Sequence, residues 1–340
     1  MSVHIIQADA RHLPLADDSV DLIVTSPPYF GLRSYTDGGE QYDGQIGAEA
    51  TPAAYVDALI ECTREWMRVL KPGGSLWVNL GDKYSTYEGP RNVPQNNTAG
   101  LRQGLASQEG KRYTRSAPSV YGVPYKSLLG LPWRYALRCI DELALILRAE
   151  VVWQKPNGMP ESATDRVRRS HEQWFHFAQA QRYYANVDAI REAPSGYSRP
   201  SIAGRAARGG QRPRLMADSC NPKGRLPGSV WEISTQPLRV PDEVGTDHFA
   251  AFPMEWPRRI IAAWAPAGGV VLDPFGGTGT TALAADVSGR TGISVDMSAD
   301  YCRVAAWRTS DPAERARAMG VSKPEPVLAG QTALFDMETS

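Results

Sequence analysis

Val270-Val271-Leu272-Asp273-Pro274-Phe275-Gly276-Gly277-Thr278-Gly279-Thr280-Thr281 carries a short apolar run into an Ala-rich segment through a turn with three glycines. The run has the β-branched content of a buried strand, and the segment after Thr281 has that of a helix. In a strand, turn and helix of this kind, glycines let a ligand approach the backbone and helix N–H groups meet a carboxylate or phosphate. Thr291 to Val295 predicts the next strand. Asp296 closes it about 20 residues beyond the first glycines, where a carboxylate accepts hydrogen bonds from both ribose hydroxyls. These residues form one half of a nucleoside-cofactor site. They match neither the dinucleotide fingerprint G-x-G-x-x-G nor a P-loop, since no Gly-Lys-Ser/Thr follows.

Far upstream, Asp21-Leu22-Ile23-Val24-Thr25-Ser26-Pro27-Pro28-Tyr29 reads as a second buried strand that stops at a rigid turn. Proline has no N–H for a central ladder, fixes its own φ and keeps the preceding residue out of the helical region. Ser26 and Tyr29 are therefore held in fixed relation. A hydroxyl, carbonyls at Pro27 and Pro28 and an aromatic face suit a planar group carrying an NH2; a surface loop or extended ligand segment has the same composition.

Between these stretches the elements alternate. Val3 to Gln7 is a strand with Asp9 at its end; Pro52 to Leu70 has helical spacing (Tyr55, Val56, Leu59, Ile60, Trp66, Met67, Leu70) and stops at Lys71-Pro72-Gly73-Gly74. Ser75 to Leu80 completes a βαβ unit, so the sheet is at least partly parallel. Leu128 to Leu147 predicts a long helix, Glu150 to Trp153 and Trp174 to Phe177 strands, Glu255 to Ala265 a helix, and Tyr301 to Trp307 the last helix. Residues 83–126 are polar and rich in Gly, Ser, Asn and Gln, as a functional or mobile loop would be.

With 340 residues, 42% of them hydrophobic, the chain can bury a large core. No run approaches the ~20 apolar residues of a membrane span, and Met-Ser-Val-His-Ile-Ile is no signal peptide, so a cytoplasmic location is expected. Cys62, Cys139, Cys220 and Cys302 form no C-x-x-C pair, which argues against disulfides and a cysteine-rich metal site; no metal is expected. Net charge is zero, so nucleic-acid binding needs a local patch. Arg191 to Arg225 supplies one: Arg191, Arg199, Arg205, Arg208, Arg212, Arg214, Lys223 and Arg225 stand against Glu192 and Asp218 in a Gly, Pro and Ser-rich setting.

The pair Phe275-Gly276-Gly277-Thr278-Gly279 and Thr25-Ser26-Pro27-Pro28-Tyr29 resembles the amino-methylating DNA methyltransferases, which use S-adenosylmethionine to methylate cytosine N4 or adenine N6. The catalytic motif comes first and the cofactor motif near the end, as in the permuted β group of that family, and the resemblance runs from about Val3 to Trp307. It implies an α/β, Rossmann-like, mostly parallel sheet with helices on both faces. The expected units are a catalytic half (1–82 and 127–189), a long loop (83–126), a basic target-recognition segment (190–245), a cofactor half (246–310) and a flexible tail (311–340).

Carried over by residue, the resemblance assigns Phe275, Gly277 and Gly279 to the methionine part of the cofactor, Asp296 to its ribose and Asp9 to its adenine, and places Asp273, Gly276, Thr278 and Thr280 in the same cofactor-binding turn. His248 to Pro253 resembles the motif that packs on the methionine end, which adds Phe252 and Pro253. Lys155, Asn157, Arg166, His171 and Glu172 match the segment lining the target-base pocket, and Arg205, Arg208, Arg212 and Arg214 fall where DNA is held. Ser26 and the Pro27 carbonyl would accept from the exocyclic amino group, and Tyr29 would stack on a flipped base. Ser at position 26 is the family's more usual choice for cytosine N4, with adenine N6 the alternative.

His171-Glu172-Gln173-Trp174-Phe175-His176 is superficially like H-E-x-x-H, but the second His comes one position late and Phe175 stands in its place, which rejects a zinc hydrolase. A DNA-binding protein that kept the fold without catalysis is the other rival; the intact Ser26, Pro27, Tyr29 and glycines speak against it. The implied partner is double-stranded DNA, and a companion restriction endonuclease stays open. Near the end, Gln331-Thr332-Ala333-Leu334-Phe335 resembles the peptide by which bacterial replication proteins dock on the sliding clamp, through Gln331, Leu334 and Phe335. An ordinary terminus with two apolar residues is the reading we prefer.

Overall fold

The computed structural model describes residues 2–31, 36–37, 40–41, 44–85, 122–193, 221–238, 240–241, 244 and 251–320. Arg199, Arg205, Arg208, Arg212, Arg214, Cys220, His248, Gln331, Leu334 and Phe335 lie outside the described residues. The strands are β1 (Val3–Gln7), β2 (Val20–Thr25), β3 (Thr36–Asp37), β4 (Glu40–Gln41), β5 (Leu70–Leu80), β6 (Ile146–Gln154), β7 (His171–Ala178), β8 (Val230–Glu232), β9 (Val270–Asp273) and β10 (Thr291–Asp296). The helices are α1 (Pro52–Val69), α2 (Leu131–Leu143), α3 (Glu255–Trp264), α4 (Thr280–Val287), α5 (Ala299–Ser310) and α6 (Pro312–Met319).

Eight strands form one sheet in the order β1-β10-β9-β2-β5-β7-β6-β8. β1, β10, β9, β2 and β5 run parallel, β7 is antiparallel to β5 and β6, and β8 is parallel to β6. The mostly parallel α/β sheet expected from the sequence is what forms. Its strands alternate between two apolar clusters. Ile23, Leu76, Val78, Phe175, Phe177 and Leu272 face α1 and α2, while Leu22, Val24, Trp77, Trp174 and Val271 face α3 and α4. Burial on both faces is why the central strands read as unbroken apolar runs. β2 and β9 are neighbours in the middle of the sheet, which places Ser26 and the glycine turn beside each other despite their distance in sequence.

Several boundaries depart from expectation. α2 is shorter than Leu128 to Leu147 because Asp82 accepts from the N–H groups of Gly130 and Leu131 (3.1 Å each), fixing its start at Leu131. At its other end Ala144 is left-handed (φ 54) and the Leu145 N–H closes on the Cys139 carbonyl at 3.1 Å. Ile146 and Leu147 then pair with Ala178 and Phe177.

Within the expected target-recognition segment, Val230–Glu232 joins the sheet as β8 and buries Trp231 to 3% exposure. Backbone bonds between Glu192 and Arg225 (3.0 Å each way) close the ends of the stretch 194–220. Of the basic residues at those ends, Arg191 and Lys223 pair with Asp188, and Arg225 with Glu192. On either side of 86–121, the Ser85 N–H donates to the Ser127 carbonyl (2.7 Å) and the Lys126 N–H to the Ser85 carbonyl (3.2 Å). Pro312–Met319, expected in a flexible tail, is a helix capped by Asp311, whose carboxylate accepts from the Glu314 N–H (2.8 Å), with Glu314, Ala316 and Ala318 buried. No helix among the described residues is long and apolar enough to cross a membrane.

Candidate active site

At the end of β9 the chain turns back on itself, with the Gly276 N–H on the Val295 carbonyl and the Gly279 N–H on the Gly276 carbonyl, both 2.8 Å. Gly277 and Gly279 have φ of 48° and 74°, and a Cβ at Gly276 would lie 1.9 Å from Ser294 Oγ. The glycines are thus required by conformation at two positions and by contact at the third. The Asp296 carboxylate accepts from the N–H groups of Gly277 and Ser298, both at 2.9 Å, so it is fixed in place. α4 begins at Gly279, which offers no side-chain cap to the first helical N–H groups.

A cavity opens over this turn. Phe275, Phe252, Ile46, Met297 and Tyr301 give it apolar and aromatic walls, Thr278, Thr280 and Asp296 give it polar ones, and Ser26 and Pro28 line it from the β2 side. An apolar wall, a fixed carboxylate and an uncapped helix start fit a cofactor with a ribose and an amino-acid end.

The proline turn is held from several directions. Tyr55 OH donates to the Pro28 carbonyl at 2.9 Å, and no donor among the described residues reaches the Pro27 carbonyl. Ser26 Oγ donates to Asn79 Oδ1 at 3.2 Å, and Asn79 Nδ2 donates to the Gln173 carbonyl at 3.1 Å. Tyr29 OH lies 2.8 Å from Asn79 Oδ1 and 2.7 Å from Glu172 Oε2, and its one proton serves one of them at a time. Burial, then the neighbouring Glu172, push the phenol well above its usual range, so it stays protonated. Lys155 Nζ pairs with the other oxygen of Glu172 and lies 4.1 Å from the centre of the Trp153 ring. One chain of contacts therefore runs from Ser26 through Asn79, Tyr29 and Glu172 to Lys155.

The structure separates the residues singled out by sequence. Ser26, Pro28, Phe252, Phe275, Gly276, Gly277, Thr278, Thr280 and Asp296 line one cavity. Gly279 shapes the turn beneath it. Pro27 and Pro253 are buried, and the Pro253 carbonyl accepts from the Trp256 N–H at the start of α3.

Asp273 lies 1% exposed under the turn and does not line the cavity; it accepts from Thr25 Oγ1 (2.7 Å), Thr281 Oγ1 (2.8 Å) and the Phe275 N–H (3.1 Å). Its role is to brace the turn. Asp9 is engaged by Arg11, through the guanidinium (2.6 Å) and the backbone N–H (2.9 Å), and is not among the residues lining this cavity.

In the expected target-base segment, Glu172 reaches Tyr29 and Lys155 pairs with Glu172, whereas the Asn157 side chain pins the Thr235 backbone by two bonds. Arg166 pairs with Glu161 and stacks 3.9 Å over the Tyr84 ring. Burial, then Arg169, lower the His171 imidazole below its usual range.

Residues of the site that sequence reasoning missed are Asn79, Ile46 and Tyr301. For Asn79 a signal existed: an amide between Val78 and Leu80 in a strand otherwise apolar there.

The family model for N6/N4 methyltransferases, described as DNA methylase, matches residues 20–306. The chain is 33% identical over 309 residues to the type II methyltransferase M.SmaI of Serratia marcescens, covering 90% of each chain. In fold it is similar to PvuII DNA methyltransferase (cytosine-N4-specific), with a TM-score of 0.60, 19% identity, and coverage of 94% of this chain and 93% of that one. It is also similar to TTHA0409 of Thermus thermophilus complexed with S-adenosyl-L-methionine, with a TM-score of 0.50, 22% identity, and coverage of 94% and 96%.

Proposed function

The chain belongs to the N6/N4 DNA methylase family, and from that premise we propose that it transfers a methyl group from S-adenosylmethionine to the N4 of a cytosine flipped out of duplex DNA. The observation that carries this reading is that Ser26 and Pro28 line the same cavity as the glycine turn and Asp296. Acceptors for an amino group and the walls of a nucleoside site meet there.

Bound S-adenosylmethionine supplies an electrophilic methyl on a sulfonium. Asp296 would hold its ribose, Phe252 and Phe275 its methionine end, and the uncapped start of α4 its carboxylate. The exocyclic nitrogen is a poor nucleophile because its lone pair is delocalised into the ring. Ser26 Oγ, whose own proton goes to Asn79, and the Pro27 carbonyl accept the amino hydrogens and turn that lone pair out of the ring plane. Positioning and exclusion of water supply most of the effect, with no covalent intermediate on the protein. Asn79 and Glu172 hold the Tyr29 hydroxyl, which fixes its ring as a face for the flipped base.

Cytosine is favoured over adenine because position 26 is a serine. Relatedness to a type II methyltransferase supports a companion restriction endonuclease that cuts the same site. The decisive experiment incubates the protein with duplex DNA and cofactor, digests the product to nucleosides and identifies them by mass spectrometry. N4-methylcytosine is expected, and N6-methyladenine as sole product overturns the choice of base. Ser26→Ala should lower transfer while cofactor affinity holds.

A further inference from the structure

We propose that Arg308 on α5 and Glu314 on α6 are positioning residues of the cofactor site, the guanidinium bracing the glycine turn from outside the cavity and α6 holding the guanidinium. This rests on the reading of that cavity as the S-adenosylmethionine site.

Arg308 and Glu314 are 7% and 6% exposed. Arg308 Nη1 donates to Thr280 Oγ1 at 2.7 Å and Thr278 Oγ1 at 3.0 Å, and Nε donates to Glu314 Oε2 at 3.2 Å. Thr278 and Thr280 bracket Gly279 and line the cavity. A Cβ on Gly279 would lie 3.0 Å from Ala305 Cβ, so α5 meets the turn at two points one helical turn apart, Ala305 and Arg308. The glycines that give the turn its shape also leave it no side chain of its own to cap α4. Arg308 restrains the turn from a neighbouring helix in another way, by donating to the Thr278 and Thr280 hydroxyls rather than by capping the helix N–H groups.

Glu314 is itself fixed. Its N–H donates to the Asp311 carboxylate at 2.8 Å, and its second oxygen accepts from Arg317 at 2.7 Å. The brace therefore continues past the part of the chain that carries the recognisable motifs. Adhesion of α6 is a weak explanation for the ion pair, because the cost of desolvating two charges offsets their attraction and an apolar pair packs as well. What an apolar pair lacks is a planar fork whose geometry serves two threonine hydroxyls and a carboxylate at once.

The test uses the full chain with Arg308→Met, Arg308→Lys, Glu314→Gln, Thr280→Val and the Arg308→Met/Thr280→Val double variant. Cofactor Kd, the KM for cofactor, the KM for DNA, kcat and the melting temperature without cofactor are measured. Both Arg308 variants should raise cofactor Kd and KM about tenfold, as loss of a charge-assisted bond implies, with kcat at saturating cofactor and the KM for DNA within about twofold of wild type. Thr280→Val should add little to Arg308→Met, since Arg308→Met already removes the bond to Thr280 along with the one to Thr278. Should Arg308→Met fail to fold, Arg308→Lys keeps the charge, removes the fork and decides by the same criteria. A folded Arg308 variant with wild-type cofactor Kd, or with cofactor and DNA affinity lost in equal proportion, overturns the proposal alone. Absence of S-adenosylmethionine binding by the wild type overturns the reading of the cavity and this proposal with it.

Discussion

Thr25 Oγ1 donates to Asp273 Oδ1 at 2.7 Å across 248 positions of sequence. Thr25 ends β2 directly before Ser26, and Asp273 ends β9 directly before the glycine turn. The bond fixes the spacing between Ser26 and the glycine turn, which line one cavity. Asp273→Ala leaves the Thr25 hydroxyl and the Phe275 N–H buried without an acceptor, which should cost about 2–4 kcal/mol. Asp273→Asn keeps that acceptor, and its amide can donate to Thr281 Oγ1, which turns its own proton to the Val24 carbonyl 3.3 Å away. Urea unfolding at pH 7.5 should place Asp273→Asn near wild type and Asp273→Ala well below it.

Acidification should expose two opposed contributions. Burial pushes Asp273 up from 3.8 to about 6, so between those values the folded protein binds a proton that the unfolded chain does not. Its contribution is full below 3.8 and is lost as pH rises through 6. Burial pushes His176 down from 6.5 to about 3, so its contribution is present above 6.5 and is lost as pH falls toward 3. Asp273→Asn removes only the first. Its stability should fall more steeply than wild type from pH 7 to pH 4.5, and parallel curves would contradict the assignment.

Asn79 is 1% exposed and shares one carbonyl oxygen between Ser26 and Tyr29. Asn79→Ala frees the Ser26 hydroxyl and leaves Tyr29 held by Glu172 alone, without touching the glycine turn or Asp296. Transfer should drop by about 10- to 100-fold through lost positioning, while calorimetry finds cofactor affinity unchanged. A variant that loses cofactor binding and keeps kcat would remove Asn79 from the catalytic turn.

What the sequence disclosed and what it withheld divide along contact order. Gly276 to Gly279 and Pro27-Pro28 encode their turns locally, through φ and the missing N–H, so their shape and placement at strand ends could be read directly. Asn79 and Arg308 look like any polar residue in a strand or helix until the fold brings up Ser26 and Thr280. Asp273 and Asp9 show the converse. Both sit at strand ends where a ligand carboxylate is expected, yet Thr25, Thr281 and Phe275 claim the first and Arg11 the second. α6 was missed because an Ala, Glu and Arg composition suits a solvated tail as well as a helix whose Glu314 neutralises a buried guanidinium. Arg205, Arg208, Arg212 and Arg214, expected from the sequence to hold DNA, fall outside the described residues.

Gly81 tests how firmly Tyr29 must be held. A Cβ at position 81 would lie 2.5 Å from Tyr29 Cε2 and 2.9 Å from Cδ2, so the ring rests on the glycine. A free side chain would swing aside at little cost, but the Tyr29 hydroxyl is fixed between Asn79 and Glu172 and the backbone is set by Pro27 and Pro28. Gly81→Ala should therefore tilt the ring and lower methyl transfer by about tenfold or more, as a misplacement near 1 Å does, with cofactor affinity intact. Adding Tyr29→Phe removes the hydroxyl anchor, lets the ring yield to the new methyl and should restore part of the lost rate relative to Gly81→Ala alone. Steady-state rates on one duplex substrate for the two single variants and the double variant decide the matter: wild-type rates in Gly81→Ala, or a double variant slower than both single ones, would show that the anchored ring is not what positions the base.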